Sequence, residues 1–342
     1  MKDVKCAPGL LLAVAVAGAA TVVGGWLPVV GGPVSGVVIG VLVAAVRRPG
    51  ERLRPGIATA SRFVLQLAVV ILGCQLSLAR VVEVGGGSLP VMVGSLAACL
   101  GAAYLVGRRL GIGGDLRTLI GVGTGICGAS AIAAVTPVIG AASAEVAYAI
   151  STIFLFNISA VLLFPFLGHL LGLSQHAFGL FAGTAVNDMS SVVASATTYG
   201  DEAGQYAVVV KLTRTLLIIP VCLGLAALAR RRAAVTAAGT AHPAQRTSGA
   251  PRPNVFALVP WFLVGFLLTA LANTVGLVPA AAHHGLNTLS VFLITVALSA
   301  IGLSTDLGGL RRAGPRPLIL GAVLWGVVTV TSLALQFVTA SW

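Results

Sequence analysis

The chain has 342 residues, 57% of them hydrophobic and 9% charged, with a mean hydropathy of +1.02. Those proportions exclude a large soluble domain and predict an all-α polytopic membrane protein. A formal net charge of +12 would point a soluble protein toward nucleic acid, but here its distribution along the chain gives a different reading.

Apolar runs of about 17 to 25 residues can cross a bilayer as helices. Eleven such runs begin near Gly9, Pro33, Arg62, Leu89, Arg117, Val146, Ala177, Gln205, Val255, Leu286 and Pro317. Those at Pro33 and Leu286 are short, so the expected number is nine to eleven. Lys2 and Lys5 precede the first run, and Arg47, Arg48, Arg52, Arg54 and Arg62 follow the second. Arg108, Arg109 and Arg117 follow the fourth, Arg230 to Arg232 with Arg246 and Arg252 the eighth, and Arg311, Arg312 and Arg316 the tenth. Eighteen of the 21 basic residues thus fall in alternate connections. By the positive-inside rule this predicts a multi-pass protein of the bacterial inner membrane with a cytoplasmic N-terminus and an external C-terminus. The connection before the seventh run has no Lys or Arg, so charge does not orient it.

The first run, with basic residues before it and Ala17-Gly18-Ala19 inside it, also fits a secretory leader. Its length and the runs that follow favour a membrane span. The chain reads as one transmembrane domain, residues 1–342, interrupted by a polar cytoplasmic linker over 230–254 that is rich in Ala, Pro, Thr and Arg. The five cysteines form no C-x-x-C pair and have no His partners at metal spacing, so neither a metal nor a cofactor is expected.

Two segments break the apolar pattern: Gly123-Thr-Gly-Ile-Cys-Gly-Ala-Ser130 and Gly183-Thr-Ala-Val-Asn-Asp-Met-Ser190. They lie sixty residues apart, and the register persists to Gly140 against Gly200 and Ala147 against Ala207. Glycine weakens a helix, and short polar side chains compete for its backbone, so broken helices are expected here. A membrane tolerates broken helices where protein or a polar cavity satisfies the freed groups. A binding site near the bilayer midplane follows. A second similarity pairs Leu72-Gly73, Leu78, Gly85 and Leu89 with Ile301-Gly302, Leu307, Gly314 and Leu318, in runs of opposite direction, as an inverted repeat requires. With eleven crossings, the two Gly-Thr-Ser segments would instead run parallel.

Three charges lie at membrane depth, and unpaired they would cost on the order of 8 to 10 kcal/mol together. They are Asp188, Lys211 and Arg214. Lys211 and Arg214, at i and i+3, share a helix face. One carboxylate against two cations leaves a surplus positive charge, which favours an anionic ligand, and broken-helix N-termini would add to it. Candidate substrate-binding residues are Thr124, Cys127, Gly128 and Ser130 from the first segment, Thr184, Asn187, Ser190 and Ser191 from the second, and Lys211 and Arg214. Asp188 is the central carboxylate and the candidate for coupling to a proton or sodium ion. Gln66, Gln75 and Asn157 are weaker candidates. An internal ion pair joining Asp188 to the cations is the structural alternative.

Gly125-Ile-Cys-Gly-Ala-Ser-Ala-Ile-Ala-Ala-Val-Thr-Pro137, Val186-Asn-Asp-Met-Ser-Ser-Val-Val193 and Val210-Lys-Leu-Thr-Arg-Thr215 resemble the signature segments of the bacterial family named as sulfate exporters, also called the YeiH type. The resemblance runs from about Gly36 to Leu335, and Ala129 stands where Asn is frequent in that family. It implies an inner-membrane secondary carrier, remotely similar to the bile acid symporter and cation/proton antiporter class with its crossed broken helices. The sequence offers no H-E-x-x-H, no G-x-S-x-G and no nucleotide-binding loop, so neither an enzyme nor an ATP-driven pump is expected. An anion channel or a structural subunit without transport is the other reading. The expected partners are a small inorganic or organic anion, sulfur-containing anions among them, a proton or sodium ion and the lipid bilayer, with a homodimer as the candidate assembly and no nucleic acid.

Overall fold

The computed structural model describes residues 6–26, 31–46, 49–239, 261–304 and 315–339. The regular structure of these residues is helical throughout. Seven helices among them are long and apolar enough to cross a membrane: Ala7–Trp26, Arg54–Gly73, Leu78–Arg109, Ser143–Leu170, Asp201–Leu228, Ala281–Leu303 and Pro315–Val338. The protein is therefore an all-α multi-pass membrane protein.

In chain order the helices are α1 (Ala7–Trp26), α2 (Gly31–Val46), α3 (Arg54–Thr59), a π turn (Ala60–Val64), α4 (Leu65–Gly73) and α5 (Leu78–Arg109). Next come α6 (Gly114–Gly125), α7 (Ala129–Ile139), α8 (Ser143–Leu170), α9 (Gln175–Ala185), α10 (Met189–Tyr199), α11 (Asp201–Leu216) and α12 (Ile218–Gly239). The last are α13 (Trp261–Thr274), α14 (Ala280–Leu303) and α15 (Pro315–Val338). Local chemistry sets several starts. Ser77 caps α5 by accepting from Arg80 N at 3.2 Å, and Ser174 caps α9 by accepting from Ala177 N at 3.2 Å. Helix α12 runs on to Gly239, so the first part of the expected 230–254 linker is helical and the rest lies outside the described residues.

Helices α1 to α4, α13 and α14 form one group. Within it, α2 and α14 approach so closely that a Cβ on Gly40 would lie 2.5 Å from Ser299 O and 3.0 Å from Gly302 Cα. Small residues permit such backbone proximity where apolar burial gives no drive to associate. Helices α4 and α14 run antiparallel, since Ser290 Oγ donates to Ala68 O (3.0 Å) and Gln75 Nε2 to Asn287 Oδ1 (3.2 Å). The expected opposition of Leu72 and Ile301 thus holds for the described residues. Leu307 and Gly314 lie outside them.

The runs beginning near Arg117 and Ala177 do not cross, which corrects the count of eleven to the lower figure of its range. Helix α6 packs parallel to α8: a Cβ on Gly113 would lie 3.5 Å from Glu145 Oε1, and one on Gly123 2.1 Å from Ile153 Cδ1. Since α7 joins α8 through a turn of three residues, 140–142, α7 must return to the end from which α6 set out. The pair α9–α10 does the same from the opposite end. Tyr199 OH, at the finish of α10, donates to Leu173 O just before α9, and the Tyr199 and Phe178 rings stack at 3.9 Å. Gln175 Oε1, at the start of α9, accepts from Glu202 N (3.1 Å) and Ala203 N (3.3 Å) at the start of α11.

The two Gly-Thr-Ser segments are therefore re-entrant hairpins inserted from opposite ends of the bundle, and they run antiparallel rather than parallel. Replacing two crossings with two hairpins leaves every basic cluster on the end already assigned to it. It moves only the neutral connections 140–142 and 171–174.

Candidate functional site

The hairpins meet tip to tip. At the first, α6 ends at Gly125 with Ile126 as its cap, and Gly128, with φ +67° and ψ −133°, turns the chain into α7. A side chain rarely tolerates that backbone, so glycine is required by conformation as well as by space. A Cβ there would lie 3.2 Å from Asp188 Cβ at the head of the second tip. Asp188 caps α10: its Oδ1 accepts from Ser191 N (3.0 Å) and from Ser190 Oγ, and its Oδ2 accepts from Ser191 Oγ (2.7 Å). The bond from Ser191 N satisfies one orphan N–H in the first turn of α10, and the three bonds together hold the carboxylate in one orientation.

Lys211 and Arg214 sit behind the tips, fully buried. Lys211 Nζ donates to Ile126 O and to Val186 O, both at 2.8 Å. Those carbonyls belong to the cap residues that end α6 and α9, so one ammonium neutralises two negative helix ends and ties the hairpins together. Arg214 Nη1 donates to Thr184 O in the last turn of α9. Among the described residues no ion pair joins Asp188 to either cation, so the bridge expected as the structural alternative does not form. The cations pair with backbone carbonyls instead, because the interrupted helices leave those acceptors free at membrane depth.

A cavity of about 820 Å³ lies between the tips and the group of α2 to α4, α13 and α14. It runs from Cys127 and Asp188 toward the end of the bundle that carries Arg54, Arg108 and Arg109, reaching Ser61, Arg62 and Ser304. Of the expected site residues, Cys127, Ser130, Asp188, Ser190 and Ser191 line it. Gly128 shapes the tip beside them. Thr124, Thr184, Asn187, Lys211 and Arg214 are buried and do not line it. Thr184 Oγ1 bonds to Ser332 Oγ and donates to Leu180 O (2.7 Å), and Asn187 N donates to Asn157 Oδ1 (3.2 Å). These are packing bonds within the hairpin group.

Sequence reasoning gave Asn157 and Gln66 little weight and counted Arg62 only as a marker of orientation, yet all three line the cavity. Pro55 was the overlooked signal. It stands in the first turn of α3 and so starts the helix well before Arg62, placing that exposed side chain about two turns along the helix, at the cavity.

At the opposite end the same two helix groups are bridged by polar side chains. Gln205 Nε2 donates to Gln75 Oε1 (3.2 Å), and Asn287 Nδ2 to Asp201 Oδ2 (3.3 Å). Arg80 pairs with Glu83 at 3.0 Å and meets His176 Nε2 at 3.3 Å.

The family described as "Conserved hypothetical protein 698" matches residues 8–321. A UPF0324 membrane protein of Streptococcus pyogenes serotype M6 is 43% identical over 340 residues, covering 98% of each chain. One from Streptococcus agalactiae serotype V is 39% identical over 341 residues, again covering 98% of each. One from Fusobacterium nucleatum subsp. nucleatum is 38% identical over 348 residues, covering 96% of each. No solved structure matches the chain.

Proposed function

The chain belongs to the family described as "Conserved hypothetical protein 698", whose relatives are bacterial membrane proteins, and we propose that it is a secondary carrier of a small anion across the bacterial inner membrane. The observation that carries this reading is the pair of opposed hairpin tips at one cavity. The first turns of α7 and α10 supply Ala129, Ser130, Met189, Ser190 and Ser191 to the cavity wall. Helix N-termini carry partial positive charge and free N–H donors, while the carbonyl ends of α6 and α9 turn away toward Lys211. The first tip thus presents a positive helix end to the cavity, the second has its positive end capped by the Asp188 carboxylate, and the negative ends of both are neutralised behind.

The reading places the substrate in the cavity, with the first turn of α7 and the Ser130 hydroxyl as the polar groups at its tip end, since the single O–H of Ser190 and that of Ser191 are already donated to Asp188. Lys211 and Arg214 contribute positive potential from behind the tips. Asp188, held by serine donors beside the anion, is the coupling group for a proton or sodium ion. The end of the bundle rich in arginine is cytoplasmic by the positive-inside rule, so the cavity opens inward and the polar bridges close the external side. Sulfate and related sulfur anions are the first substrates to test.

Purified protein in liposomes, supplied with radiolabelled sulfate, sulfite, thiosulfate, alkanesulfonates and small carboxylates under imposed pH and sodium gradients, tests the reading. The expected result is saturable uptake of at least one anion that one of the gradients drives. Uptake no greater than in protein-free liposomes overturns it, as does unsaturable conductance, which would make the protein a channel.

A further inference from the structure

Among the described residues two charged side chains line the cavity, Asp188 and Arg62. Asp188 is occupied by Ser190 and Ser191, Lys211 is bound to two tip carbonyls, and Arg214 is bound to one through Nη1, its buried Nε and Nη2 having no partner among the described residues. The Arg62 guanidinium has no hydrogen bond or ion pair with any described residue, in contrast to that of Arg54, which pairs with Glu51 at 2.8 Å. Arg62 also lies in the π turn Ala60–Val64. A π turn adds a residue to one helical turn and so re-aims the side chains after it, and such turns recur at functional sites. Among the described residues this guanidinium is unpaired and exposed at the cavity, where an anion could meet it.

The wall between Arg62 and the tips is largely apolar, including Leu65, Val69, Phe154, Ile158 and Phe262. An inorganic oxyanion would leave most of that surface and of the roughly 820 Å³ unfilled. Cavities of this size and character hold organic ligands oriented by a few polar groups.

We propose that Arg62 is the residue that recognises the substrate's anionic group, and that the preferred substrate is an organic anion, a sulfonate or carboxylate with a short apolar body. The proposal rests on the carrier reading and deepens it. A planar guanidinium grips two oxygens of a sulfonate or carboxylate at once, and the apolar wall takes the alkyl chain. Lys211 and Arg214 then set the potential without touching the substrate.

The test is uptake of radiolabelled butanesulfonate and radiolabelled sulfate by proteoliposomes containing wild type, Arg62→Gln, Arg62→Lys or Arg54→Gln. Wild type should take up butanesulfonate with the lower KM. Arg62→Gln should raise that KM by about tenfold or more, while Vmax changes less, as expected for loss of a charged hydrogen bond. Arg62→Lys should recover part of the affinity, which shows that the charge and not the fold was lost, and Arg54→Gln should match wild type. An unchanged KM in Arg62→Gln overturns the role of Arg62 and leaves the carrier reading standing. Uptake of sulfate without butanesulfonate overturns the substrate class. Uptake of neither probe by wild type, nor of any other anion in the panel above, overturns the carrier reading itself.

Discussion

Gly128 and Asp188, sixty residues apart, face each other where the hairpin tips meet, so close that a Cβ on the glycine would lie 3.2 Å from the aspartate's Cβ. They occupy corresponding places, each capping the helix that leads away from its tip. The repeat in the sequence is thus a pair of opposed elements in space, and the site is their junction. Four predictions follow from that geometry.

Replacing Gly128 with Leu should leave membrane insertion intact and abolish uptake. Its backbone, φ +67° and ψ −133°, costs a side chain about 1–3 kcal/mol, and the added bulk meets Asp188. Gly183→Leu should act alike, because a Cβ there would lie 2.6 Å from Val210 Cγ1. Size-exclusion profiles and proteoliposome uptake check this, and normal uptake by both variants would show that the tips tolerate filling.

Lys211→Met should act first on stability. The substitution leaves two buried carbonyls, Ile126 O and Val186 O, without their donor. Each charged hydrogen bond is worth about 1.5–3 kcal/mol, so a marked fall in Tm is expected. A thermal unfolding scan in detergent decides the matter. Unchanged Tm with weakened anion affinity would return Lys211 to the substrate.

Asp188→Asn should keep anion binding measurable while removing its dependence on pH or sodium. Ser190 and Ser191 can still donate to the amide oxygen, so the cap is retained in part. Calorimetric titration of a transported anion at several pH values and sodium concentrations measures this, and a retained ion dependence would falsify the coupling role.

The hairpins also predict labelling sides. In a variant without native cysteines, Ala141→Cys should react from the face that carries Arg108, and Ser174→Cys from the face that carries Val275. Crossings in place of hairpins would exchange the two. Membrane-impermeant maleimide applied to intact and opened cells separates the arrangements.

Composition and apolar run length were enough to establish the class, and the eleven runs found in the sequence correspond to real elements in order. The interruptions were also legible, since Gly123 to Ser130 and Gly183 to Ser190 combine weak helix formers with polar side chains in an apolar setting. Whether an interrupted run crosses or turns back was not legible. Both forms have similar length and hydropathy, and the connections at 140–142 and 171–174 contain no basic residue to reveal their side.

Tertiary structure decided the partners of the buried charges. From sequence, Asp188, Lys211 and Arg214 formed one cluster around a substrate. Folding places the cations against carbonyls on the back of the tips and the carboxylate on the front, because a re-entrant hairpin presents a negative helix end and a positive one in opposite directions. Arg62 followed the same logic in reverse: its charge counted toward orientation in the sequence, while the helix begun at Pro55 and the π turn around it place it at the cavity. Periodicity and composition record what a segment can bury, but the direction in which a chain end returns, and hence which charges meet, is set by long-range packing between helices distant in sequence.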